Sequence, residues 1–62
     1  MTPEQERWAE ASAVLSQHGD RAPAFVAERI GALAAIGDTA GVERWRAIAS
    51  RLDQLSRAGT VQ

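Results

Sequence analysis

The side chains that could do chemistry are few. The chain has one histidine and no cysteine. His18 has Asp20 as its only close acidic companion, whereas a zinc or iron site takes three or four ligands. No serine stands in a nucleophile-elbow context, and no thiol is present to act as a nucleophile. Gly31, Gly37 and Gly41 match neither a phosphate-cradling loop nor a dinucleotide fingerprint. Glu4, Glu6 and Glu10 lie along the start of a helix and read as a solvated face. These residues point away from an enzyme and imply no metal, no cofactor and no small-molecule substrate.

The cations say more. All seven positive charges are arginine, which suits bidentate recognition of anions but also fits the composition of a GC-rich genome, rich in alanine and glycine as well. Arg44, Arg46 and Arg51 fall on one expected helix, and Val42-Glu43-Arg44-Trp45 has the look of a recognition helix in a helix-turn-helix. Glu43 and Asp53 interrupt that basic surface, and the net charge is −1, so the electrostatic footprint of a DNA-binding protein is weak. A small DNA-binding regulator is therefore the alternative reading. Its contacts would be Arg44, Arg46 and Arg51.

Three helices position these residues, over about 3–18, 21–36 and 39–57. Thr2, Pro3 and Gln5 spell an N-cap, a first-turn proline and the closing residue of a capping box. Trp8, Ala11, Val14 and Leu15 recur at helical spacing on one face. Gly19 is placed to stop the first helix and Asp20 to cap the second, with Pro23 in its first turn. Gly37 and Asp38 repeat the arrangement. In the third helix Trp45, Ile48, Leu52 and Leu55 form the cleanest seam, with Val42, Ala49 and Ser56 beside it. Asp53 and Arg57 are spaced for an i, i+4 pair; Gly59 is expected to close the helix and residues 60–62 to fray.

Residues 22–36, APAFVAERIGALAAI, carry only two charges, Glu28 and Arg29. A helix apolar nearly all round must be covered on several sides, so this one is expected to be central and largely buried. It divides into three surfaces. Val26, Ile30 and Leu33, with Ala22, make the main seam; Phe25, Ala32 and Ile36 make a second stripe, with Arg29 between the two. Ala24, Ala27, Gly31, Ala34 and Ala35 make a face of small residues that admits a close helix. Short connections favour the first or third helix as the occupant of that face, and a partner helix is the other possibility.

The whole is one all-α domain, residues 1–62. A chain of 62 residues buries only about 60% of its unfolded surface. Thirteen of its hydrophobic residues are alanine, so the core is thin, and no disulfide can reinforce it. Homo-oligomerisation or docking on a larger protein is the remaining reinforcement, with Phe25, Arg29, Ala32 and Ile36 as the candidate partner-binding residues. Nothing in the chain resembles a secretory signal or a membrane span, and a cytoplasmic location is expected.

Two short likenesses recur within the chain. Glu6-Arg7-Trp8 returns as Glu43-Arg44-Trp45, and Ala27-x-Arg29-Ile30-x-x-Leu33 returns as Ala49-x-Arg51-Leu52-x-x-Leu55. Their offsets disagree, so they are not copies of one unit. The set Trp8-Ala9-x-Ala11, His18-Gly19-Asp20-x-Ala22, Ala27-Glu28-Arg29-Ile30-x-x-Leu33, Gly37-Asp38-x-x-Gly41 and Trp45-x-x-Ile48-Ala49 resembles a family of short alphaproteobacterial proteins of unknown function. The likeness runs from Trp8 to Leu55. It implies a cytoplasmic bacterial protein and brings no activity with it.

Overall fold

A helix leaves its first backbone N–H groups without partners, and Thr2 meets that need as the sequence requires. Its hydroxyl accepts from the Gln5 N–H at 3.1 Å, and the Gln5 side chain accepts from the Thr2 N–H at 2.9 Å, closing the capping box. In the computed structural model, which describes residues 1–60 and side chains as far as Arg57, helix α1 spans Pro3–His18.

α1 stops at Gly19, whose φ of 54° only glycine adopts without strain. A single 3-10 turn, Gly19–Arg21, then runs straight into α2, Ala22–Ala35. Asp20 does not cap α2 as expected, and α2 has no side-chain cap. The reason lies in the 3-10 turn. It carries the chain on through Asp20, with the Ala22 N–H donating to the Gly19 carbonyl, so that Arg21 and not Asp20 stands at the N-cap position of α2. Pro23 reinforces the break, because in one continuous helix its ring would meet the carbonyl four residues back, at Gly19.

The second junction works differently. Gly37 has φ 76°, the Asp38 N–H donates to the Leu33 carbonyl at 2.9 Å, and the Gly37 N–H donates to the Ala34 carbonyl at 3.0 Å. This is a Schellman stop. Asp38 then caps α3, accepting the Gly41 N–H at 2.9 Å. Gly41 has to be small: a Cβ there would fall 2.6 Å from the Asp38 carboxylate and 3.1 Å from the Leu33 side chain. α3 spans Thr39–Thr60, so it passes through Gly59 instead of ending before it. Glycine permits a left-handed stop but does not compel one; inside a helix it costs only about 1 kcal/mol. Of the expected frayed tail, residues 61–62 lie outside the described residues.

The described residues are all-helical, and α3 is the element the others share. It packs along both α1 and α2, while α1 and α2 touch each other far less. The buried hydrophobic residues come in pairs from each helix: Ala11 and Val14, Ala22 and Val26, Ile48 and Leu52. The expectation of a largely buried, central α2 is therefore corrected, since only Ala22 and Val26 of that helix are buried. High apolar content misleads because so much of it is alanine. One methyl each offers little area to bury, and alanine also serves as the strongest helix former on an exposed surface. Neither α1 nor α3 occupies the small-residue face. Ala24, Ala27, Gly31, Ala34 and Ala35 are exposed, and a Cβ added at Gly31 would meet nothing within 4 Å. The molecule measures 40 × 27 × 16 Å.

Gly37→Ala tests the second junction. Forcing a Cβ into the left-handed region should cost about 1–2 kcal/mol. Thermal unfolding followed by circular dichroism should show a midpoint lower by roughly 4–16 °C for a domain of this size. An unchanged midpoint would mean that the turn re-forms without the left-handed residue.

Candidate interaction surface

The contact between α1 and α3 is built on one carboxylate and one indole. Glu10 accepts from Arg7 at 2.8 Å on its own helix and is ion-paired with Arg44 of α3. The hydrogen bond from Arg44 is the main reason the Glu10 carboxyl is held below the ordinary carboxylate range; partial burial opposes it, and Arg7 adds in the same direction. Glu10 is thus a tether between helices and not the solvated residue expected. Beyond it the Arg51 guanidinium lies 5.3 Å from the centre of the Trp8 ring. The Arg51 Nε is buried without a hydrogen-bond partner. Its charge therefore leans on the negative face of the indole.

The contact between α2 and α3 repeats that chemistry. Arg29 of α2 places its guanidinium 5.6 Å from the Trp45 ring centre. Phe25 meets Trp45 edge to face, with centroids 5.9 Å apart, and its other side is stacked on His18 at 4.0 Å. His18 therefore joins the end of α1 to the start of α2, and among the described residues no group of three or more His, Cys, Asp or Glu could hold a metal ion.

The sequence-derived candidates separate into two groups on this geometry. Of Phe25, Arg29, Ala32 and Ile36, the first is half-buried between His18 and Trp45, and Arg29 is exposed but lies over Trp45. Ala32 and Ile36 are exposed, Ile36 at 77%. Arg44, Arg46 and Arg51 do not form one basic surface. Arg44 and Arg51, seven residues apart, face α1 through Glu10 and Trp8. Arg46 is exposed and points about 160° away from Arg44 around the helix.

A groove runs between α2 and α3, with a volume of about 260 Å³. Val26, Ile30, Ala49 and Leu52 supply much of its apolar lining, and Pro23, Ala27, Asp53 and Ser56 complete it. Asp53 is paired with Arg57 at 3.1 Å, as the spacing predicts. Ala27 lines the groove and also belongs to the small-residue face of α2, so the two surfaces are continuous. The α3 wall of this groove is absent from the sequence-derived candidates. The available signal was the smallness of Ala49 and Ser56 beside an otherwise bulky seam.

The chain belongs to a family of unknown function, DUF6961, whose match covers residues 3–60. No curated protein and no solved structure matches it. No helix among the described residues is long and apolar enough to cross a membrane.

Two substitutions test the contacts that shape this surface. Glu10→Gln should lower stability at neutral pH and leave it nearly unchanged in strong acid. The sign follows from a folded-state pKa below the unfolded one: the stabilisation is present above the ordinary glutamate range and is lost as pH falls through the lower folded value. Parallel melts of both proteins across the acid range should converge; a constant difference would show that Glu10 acts by packing alone. Arg51→Met, which keeps the stem and removes the charge, should cost about 0.5–2 kcal/mol in urea unfolding. No loss would remove the indole contact from the account.

Proposed function

We propose that this protein is a small non-catalytic interaction module that docks through the outer surface of α2, as a homo-oligomer or as an accessory subunit of a larger protein. One observation carries the reading. Ala24, Ala27, Gly31, Ala32, Ala34 and Ala35 of α2, and Ile36 just past its end, are all exposed, with Arg21, Glu28 and Arg29 the only charges on that helix and at its entry. Side chains this small let a second helix approach closely over Ala27, Gly31 and Ala35, and Ala32 with Ile36 offers a separate apolar stripe beyond Glu28. The adjoining groove extends the same surface onto α3. The thin core supports the reading too, since a second helix laid on α2 would bury surface that this chain leaves in water. The three-helix arrangement, with α3 as its spine, is the scaffold in this proposal, and the bacterial cytoplasm its setting.

Light scattering of the purified protein, with affinity capture from the native host, tests it. The unsubstituted chain should self-associate or retain a partner. Gly31→Glu and Ile36→Glu, both at exposed positions, should abolish that association while leaving the helical circular dichroism signal intact. A monomer that captures the same proteins with and without these substitutions would overturn the proposal.

A further inference from the structure

We draw no further inference here: the strongest candidate, the apolar groove between α2 and α3 that continues onto the small-residue face of α2, carries nothing because nothing in the structure shows what covers it.

Discussion

Ile48 and Leu52 sit one helical turn apart on α3, almost wholly removed from water, and both other helices bury their apolar residues beside them. This shared seam is the constraint on which the rest of the molecule depends. In this chain one helix carries a complete apolar stripe and the other two carry partial ones. The partial stripes, Ala11 with Val14 and Ala22 with Val26, close against the complete one. α1 and α2 then have little left with which to hold each other, and the molecule is thin in one direction.

Polar chemistry at the helix contacts compensates for that economy of apolar surface. Each flank of α3 carries an arginine over a tryptophan: Arg51 over Trp8 on the α1 side, Arg29 over Trp45 on the α2 side. The two internal likenesses acquire a common meaning from this. Trp8 and Trp45 end the two Glu-Arg-Trp copies, and Arg29 and Arg51 occupy the same place in the two Ala-x-Arg copies. Each tryptophan receives the arginine from the other set, across a helix contact. The two likenesses thus supply the same kind of contact on both flanks of α3. On the α1 side Glu10 adds an ion pair to Arg44, and on the α2 side His18 and Phe25 add a stack.

With α3 as the shared element, α2 presents most of its circumference to solvent. Its inner side meets α3, and one flank is partly closed by the contacts of Phe25 and Arg29 with His18 and Trp45. The outer side is alanine and glycine with Glu28 among them, and Ala27 joins it to the groove over Ala49 and Leu52. The arginines of α3 are divided by helical spacing, which sets Arg46 about 160° from Arg44, and packing engages only one side. Those directed at α1 are engaged by Glu10 and Trp8, while Arg46 is left on the far side.

Most of the local chemistry was legible in the residues, the Asp20 cap and the stop at Gly59 being the exceptions. The capping box at Thr2, the glycine stops at Gly19 and Gly37, the Asp38 cap and the Asp53–Arg57 pair are interactions between near neighbours, and their spacing determines them. So too were the all-helical character and the stripe of α3, which follow from periodicity. The tertiary structure alone decided which helix would be shared, because periodicity reports how apolar a face is and not how much area it can bury. Residues 22–36 score high on the first measure and low on the second, being rich in alanine. Asp20 leaves α2 uncapped, since a 3-10 turn puts Arg21 at the N-cap position in its place. The Arg–Trp pairs and the Glu10 tether join residues at least 16 positions apart, Arg29 to Trp45 being the nearest such pair. No local pattern states which arginine will reach which ring; only the packing of α1 and α2 on the two sides of α3 brings them together.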